Sequence, residues 1–310
     1  MITHTDNLLA SRHELFGKSR EKDTSPDNPQ TGAWFAALSL LTLVAIMYAS
    51  VFASLVRQWR DDPNYGHGFF VPVFAGYVLW HERHRWHSLP LRPYNLGLGV
   101  ILFAVGLRVL GMLGGELFIA RLSLVILISG IVLFLAGRET LRSIAFPIGY
   151  LLFMIPLPAI VYYQMTLPLQ LFASRWGAVG LIALGIHTVR EGNLLILPNC
   201  TLNVVEACSG IRSLFSLLAA TVAFGYLARS GLWKRTALAV AAIPIAIMSN
   251  CLRLVATGVL SYFFGPAVDS GAVHLALGLG CFALAFLSIL LVHRLLSQLS
   301  LYHNATRGTL

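Results

Sequence analysis

The sequence predicts an all-α, polytopic membrane helix bundle of about eight spans, with a small extracytoplasmic interfacial or hairpin segment. Of its 310 residues, 57% are hydrophobic and only 11% are charged, whereas about 25% charged residues are usual in a soluble domain. Several apolar runs approach the ~20 residues that cross a bilayer. The formal charge of +9 comes from basic residues spread through short loops between these runs. That pattern favours orientation in a membrane over nucleic-acid binding.

The apolar runs divide the chain into spans. Residues 1–32 are polar, and we interpret them as a disordered cytoplasmic tail. This tail lacks a signal-peptide pattern, so the first apolar run is expected to remain as a span. The predicted spans are 33–56, 68–81, 96–113, 118–136, 140–157, 208–228, 236–262 and 274–293. Residues 33–296 would then form one membrane domain, followed by a short cytoplasmic tail over 297–310.

The stretch from Pro158 to Ala207 differs from the other segments. Its first half is only moderately apolar and contains Pro168 and Arg175, so we interpret it as interfacial or re-entrant. Its second half alternates apolar and polar residues on both sides of Pro198–Asn199, which predicts a hairpin. We expect this hairpin to lie on the membrane surface.

The distribution of Lys and Arg predicts the orientation. With the N-terminus inside and eight spans, most of these residues fall in the inside segments, and only Arg57, Arg60, Arg175 and Arg190 fall outside. Cytoplasmic loops carry the positive excess, so both termini are predicted to be cytoplasmic. An odd number of spans would break this pattern.

Polar residues within or beside the spans predict a site at the outer face. Arg253 lies inside the seventh span, His274 opens the eighth, and Glu206, Cys208 and Arg212 surround the start of the sixth. Titratable groups at such positions are costly and usually functional. In the predicted topology Cys208, Arg253 and His274 can converge on the outer face. Glu206 and Arg212 can alternatively form a purely structural pair.

This combination suits thiol chemistry. A thiol attacks a carbonyl as thiolate, and a nearby cation or helix N-terminus favours that anion. His274 can pass a proton to a leaving amine, whereas Arg253 keeps its proton and can hold the thiolate or an oxyanion. Ser209, a small neighbour of Cys208, leaves room for a substrate backbone.

Structural explanations stand beside this hypothesis. A lone cysteine in a span usually fills apolar space, and Cys251 and Cys281 are interpreted in that way. Cys200 and Cys208 could instead form a disulfide in an oxidising periplasm. His274 alone would more often be a packed, hydrogen-bonded residue. Spacing by itself leaves these alternatives open.

Several sequence segments resemble the exosortase family of bacterial membrane transpeptidases, which is related in kind to archaeosortases. They are DDPNYGHGFFVPVFAGYVLW, PLQLFAS, GNLLILP and VVEACSGIRSL, followed by the N-x-x-R at Asn250–Arg253 and a later His. The resemblance implies that Cys208, Arg253 and His274 are catalytic. It also favours supporting or substrate-binding roles for Glu206, Ser209, Arg212, Asn250, Tyr65 and His67. Gly66 departs from the family, which usually has Ser there; without the resemblance, Tyr65 and His67 would be interfacial anchors.

The resemblance also implies a substrate. Exosortases are thought to process exported proteins that end in a Pro-Glu-Pro motif, a transmembrane helix and an Arg-rich tail, and they are associated with exopolysaccharide and cell-envelope assembly. We therefore expect a multi-pass inner-membrane enzyme with a periplasmic site, partnered by such proteins and the lipid bilayer, without nucleic acid, cofactor or metal. Three alternatives remain: a transporter, an intramembrane protease using Ser209 with His274, and a polysaccharide-assembly protein without peptidase activity.

Overall fold

The computed structural model describes residues 29–204, 210–265 and 271–307. Glu206, Cys208, Ser209 and most of the predicted N-terminal tail therefore lie outside the described residues. The chain divides into two units, Met1–Ser50 and Val51–Leu310, and every cavity and contact discussed below lies within the second.

Most of the described chain is helical. The helices are α1 (Pro29–Asp61), α2 (Phe70–His81), α3 (Arg83–His87), α4 (Leu96–Leu113), α5 (Leu117–Leu135), α6 (Arg138–Ser143), α7 (Ala145–Tyr150), α8 (Ala159–Ala183), α9 (Ile211–Leu227), α10 (Leu232–Phe264) and α11 (Gly271–Arg307). Two 3-10 helices, Pro63–Phe69 and Leu151–Met154, precede α2 and follow α7.

Several of these helices can cross a bilayer. In the described part of the chain, five are long and apolar enough: Leu38–Asp61, Leu96–Leu113, Leu117–Leu135, Leu232–Phe264 and Gly271–Leu299. A sixth span results if the bent pair Ala145–Met154 and Ala159–Ala183 is counted as one. The all-α, multi-pass membrane architecture is therefore as predicted, whereas the predicted count of eight spans is not confirmed.

Three of the predicted spans differ in the structure. The run 68–81 yields the 12-residue helix α2, about 18 Å long against a hydrocarbon core of about 30 Å. The run 208–228 yields the 17-residue α9. The run 140–157 breaks into α6, α7 and a 3-10 turn, and the chain then bends by 74° into α8. Pro156 and Pro158 explain this break, because proline lacks an N–H donor and disfavours helix in the preceding residue.

A small sheet occupies the place of the predicted hairpin. Its strands are β1 (Val189–Glu191), β2 (Leu194–Ile196) and β3 (Thr201–Asn203), in the antiparallel order β1-β2-β3. The predicted turn at Pro198–Asn199 joins β2 to β3, and an additional turn precedes β2. Gly192 in that turn has φ +62°, a conformation that glycine adopts without steric penalty.

Helix α10 is the central packing element, in contact with α8, α9 and α11. Lipid tails are as apolar as leucine, so membrane helices associate through close packing at small residues. A Cβ added at Gly177 of α8 would lie 2.7 Å from Leu254 of α10, and one added at Gly258 would lie 2.8 Å from Leu181. The two glycines thus let α8 and α10 approach closely.

The basic segments meet around one cavity, named here the basic cavity. It has a volume of about 670 Å³ and is lined by His81, Glu82, His84, Arg85, Arg142, Ser143, Phe146, Tyr226, Arg229 and Arg235. Its four arginines come from the three internal loops that the charge distribution assigns to the cytoplasm. Their convergence supports a common face for these loops.

The first prediction concerns topology. A reporter that is active only in the periplasm should stay silent when fused after Leu310 or Ser230, and should be active when fused after Gly265. The reason is the positive excess of the segments that contribute to the basic cavity. Alkaline phosphatase activity at matched expression measures this. Strong activity after Leu310 would contradict the cytoplasmic C-terminus.

The second prediction places the β-sheet. Glu191 is exposed, and β1 belongs to the stretch expected on the outer surface. In a cysteine-free background, Glu191→Cys should react with a membrane-impermeant thiol reagent in cells whose outer membrane has been permeabilised. Arg138→Cys, also exposed but at the opposite predicted face, should react only after the inner membrane is opened. The reverse pattern would invert the topology.

Candidate functional site

A cavity of about 460 Å³ brings together polar residues from distant parts of the sequence. It is named here the polar cavity and is lined by His67, Phe70, Val71, Tyr150, Arg212, Ser213, Ser216, Ala219, Ala220, Arg253, His274, Leu275, Gly278, Leu279 and Phe282. Arg212, Arg253, His274 and His67 are the residues of the predicted site among them. The remaining lining is mostly apolar.

Arg253 reaches the cavity from the middle of α10. Only 6% of the residue is exposed, and its Nη2 donates a hydrogen bond of 2.9 Å to Oδ1 of Asn250. The two residues are three positions apart and therefore share one face of the helix. Across the cavity, a Cβ added at Gly278 of α11 would lie 3.8 Å from Arg253 Nη1. The guanidinium is thus fixed between α10 and the backbone of α11.

Asn250 also contacts Gly210, the residue immediately before α9. Gly210 has φ +80°, and a Cβ added there would lie 2.9 Å from Asn250 Cγ. Both the left-handed backbone and the close approach require glycine at this position. Asn250 therefore links Arg253 to the chain that immediately follows Cys208 and Ser209.

Arg212 and Ser216 hold the segment before α2 against α9. Arg212 Nε donates a hydrogen bond of 3.2 Å to Oδ1 of Asn64, and Ser216 Oγ lies 3.3 Å from Nδ1 of His67. Arg212 and Ser216 are four residues apart, so they lie on one helix face. Asn64 is in turn fixed by its backbone N–H, which donates to the Asp62 side chain at 2.9 Å.

His67 contributes little charge to the cavity at neutral pH. Burial lowers the pKa of His67 below its ordinary value, and hydrogen bonds to the carbonyls of Phe153 and Asn64 partly offset this effect. The ring is therefore neutral at pH 7. Arg212 and Arg253 supply the fixed positive charge, and none of the described lining residues is a carboxylate.

Tyr65 lies in a neighbouring cavity of about 370 Å³, not in the polar cavity. Burial raises the pKa of Tyr65 to about 12, so its hydroxyl stays protonated. Arg121 and Tyr162 line the same space. Asn64 lines it too and bonds to Arg212, which makes the two cavities adjacent. The structure thus separates Tyr65 from His67, which the sequence had grouped together.

Asn64 and Ser216 were not among the predicted site residues. Asn64 belongs to the quoted segment DDPNYGHGFF, and Ser216 follows Arg212 by one helical turn. Their closeness in the sequence to predicted site residues could have suggested a role. Their contacts, however, join residues 148 and 149 positions apart. Only the packed structure reveals these contacts. Glu206, Cys208 and Ser209 lie outside the described residues, as does the predicted alternative of a Cys200–Cys208 disulfide.

The fold and this cavity define a multi-pass membrane protein with a cationic, histidine-containing site among its helices. Residues 59–291 match the family model described as Transmembrane exosortase. The match covers most of the chain, including the Pro63–Phe69 segment, α9 and α10, and the chain belongs to the exosortase family. The comparison with curated proteins and the comparison with solved structures find no match.

Proposed function

We propose that this exosortase-family protein is a membrane cysteine peptidase or transpeptidase of the bacterial inner membrane. Its substrates are exported proteins with a C-terminal Pro-Glu-Pro motif, a transmembrane helix and an Arg-rich tail. Cys208 is the nucleophile, Arg253 stabilises negative charge, and His274 transfers the proton, at the periplasmic face. Cleavage of such substrates links the protein to exopolysaccharide and cell-envelope assembly.

The observation that carries the proposal is that Arg253 and His274 line one cavity, although they belong to different helices. Arg253 is buried and already oriented by Asn250, so it acts without reorganisation when charge develops. A histidine and an arginine with purely structural roles can lie in separate, closely packed surroundings. Two catalytic residues must instead line the same cavity, because both have to reach the reacting atoms of one substrate.

Chain connectivity supports Cys208 as the third member. Two residues of chain span at most about 7 Å, and Cys208 precedes Gly210 by two residues. Gly210 contacts Asn250, which in turn bonds to Arg253. We therefore expect the Cys208 thiol to lie near the guanidinium. The N-terminal amides of α9 and the guanidinium both favour the thiolate.

The chemistry follows from these roles. The Cys208 thiolate attacks the scissile carbonyl, the oxygen becomes an oxyanion held by Arg253, and the C–N bond breaks as His274 protonates the leaving amine. This leaves a thioester on Cys208. Water or an acceptor amine or hydroxyl then attacks the thioester and gives its proton to His274; the C–S bond breaks, and the Cys208 thiolate and the His274 imidazolium are restored.

The test is cleavage of a reporter protein in cells. An exported reporter with the Pro-Glu-Pro motif, helix and Arg-rich tail should become shorter on an immunoblot when the full chain is co-expressed. The matched control reporter replaces Pro-Glu-Pro by Ala-Gln-Ala and keeps the helix and tail. It should remain full-length, because the motif positions the scissile bond.

Two outcomes would contradict the proposal. One is equal shortening of the reporter in cells without the chain. The other is an intact reporter in cells where the protein is inserted and abundant, tested against several natural tails of this kind. Either result would favour a transporter or a non-peptidase assembly protein.

A further inference from the structure

The basic cavity lies at the other end of α9 from the polar cavity. Tyr226 of α9 lines the basic cavity and Arg212 lines the polar one. The polar cavity extends along α9 to Ala220, six residues or about 9 Å of helix before Tyr226, and no described residue lines both cavities. The basic cavity is thus a separate space, and the proposed peptidase chemistry makes no use of it.

Its charge is strongly unbalanced. Its lining has four arginines and one carboxylate, Glu82; the nearby Glu139, which lines an adjoining space, lies 3.9 Å from Arg92. Glu82 already accepts a hydrogen bond of 2.8 Å from Tyr226 and lies 3.8 Å from Arg85 Nη1. Among the described residues, Arg142 and Arg229 have no carboxylate within ion-pair distance. The cavity therefore has cationic groups available for an anion from outside the chain.

The cavity is also partly preorganised. Arg235 Nε donates a hydrogen bond of 2.7 Å to the carbonyl of Ser230, and its guanidinium lies 4.9 Å from the centre of the Tyr226 ring. Tyr226 stacks on Phe146 with ring centres 3.6 Å apart. The Ser143 hydroxyl is buried and has no hydrogen-bond partner among the described residues. A ligand with several acceptor oxygens would satisfy this hydroxyl and the guanidinium donors together.

The surroundings indicate which anion this is. Trp80 and Trp233 are 62% and 75% exposed and lie beside or close to lining residues in the chain. Exposed tryptophans at the ends of apolar helices mark the level of the lipid headgroups. The basic loops that form the cavity are those assigned to the cytoplasmic leaflet, whose anionic lipids attract such clusters.

We propose that the basic cavity binds the phosphate headgroup of an anionic glycerophospholipid in the cytoplasmic leaflet. The arginines hold the phosphate oxygens, Ser143 donates to one of them, and the Phe146–Tyr226 stack forms an apolar wall. The lipid bridges the loops before α4, before α7 and between α9 and α10. This inference is independent of the proposed peptidase activity.

The experiment uses the full chain purified in detergent and analysed by native mass spectrometry. Phosphatidylglycerol should form a single-lipid complex with at least about tenfold higher affinity than phosphatidylcholine. The double variant Arg85→Gln/Arg142→Gln should weaken phosphatidylglycerol binding by about 30-fold, because each arginine near a lipid surface contributes roughly a fivefold step. The matched control, Arg83→Gln/Arg138→Gln, removes the same charge from the same loops outside the cavity. It should bind like the wild type.

Thermal unfolding verifies that the variants are folded. Three outcomes would overturn the proposal. The first is equal binding of phosphatidylglycerol and phosphatidylcholine. The second is equal weakening in the control variant, which would mean a diffuse charge effect. The third is displacement of phosphatidylglycerol by inorganic phosphate at similar concentration, which would make the ligand a free anion.

Discussion

Cys208→Ala should abolish shortening of a Pro-Glu-Pro reporter, with a loss of roughly ten-thousand-fold or more in rate. Without the thiolate no thioester forms, and Arg253 and His274, which line the polar cavity, have no nucleophile to assist. Cys208→Ser should fail almost as completely. A hydroxyl is far less ionised than a thiol and is therefore a much weaker nucleophile at neutral pH.

The remaining cysteines provide matched controls. Cys251 is buried in the apolar cluster formed by α8, the sheet and α10, and Cys281 lies in α11 beside Ser249, whose hydroxyl donates to its carbonyl. Cys200→Ala, Cys251→Ala and Cys281→Ala should each keep most of the activity. The measurement is reporter shortening at matched membrane levels. Normal shortening by Cys208→Ala would end the cysteine-peptidase hypothesis.

The membrane-spanning helices could be predicted well where the length of the apolar run is enough to define the helix. The predicted spans 96–113 and 118–136 correspond to Leu96–Leu113 and Leu117–Leu135. The span predicted over 140–157 is not confirmed as a single straight helix, because the apolar composition of a run does not show where the chain bends. The break at Pro156–Pro158 allows a bend, but the angle of 74° depends on tertiary packing.

The predicted topology was sufficient to bring some of the site residues together, but not to predict their contacts. Counting spans predicted that Arg253 and His274 reach the same face, and both line the polar cavity. Counting spans cannot predict that Asn64 bonds to Arg212 or that Ser216 contacts His67. Those contacts depend on how the Pro63–Phe69 segment packs against α9. The separation of Tyr65 from His67 has the same cause, since a 3-10 turn directs residues two apart to different sides.

Arg253→Lys should lower kcat by about a hundred- to a thousand-fold, the usual effect of losing one oxyanion donor, while KM changes much less. Lysine keeps the positive charge, so a purely electrostatic role would survive the substitution. The guanidinium, however, has a planar set of donors, one of which is occupied by Asn250 at 2.9 Å. A single ammonium cannot keep that bond and also present the fixed fork toward the substrate. Arg175→Lys is the matched control, because Arg175 is exposed on α8; it should behave like the wild type.

A second substitution tests how Asn250 contributes. If Asn250 acts by orienting the guanidinium, Asn250→Ala should lower kcat less than Arg253→Lys does. The double variant should then be no worse than Arg253→Lys alone, because both changes act through one group. Single-turnover cleavage of a purified reporter in detergent, with thermal unfolding as the folding control, measures both effects. Near-normal kcat in Arg253→Lys would show that charge alone is sufficient. Fully additive losses would show that Asn250 has a role separate from Arg253, at its contact with Gly210.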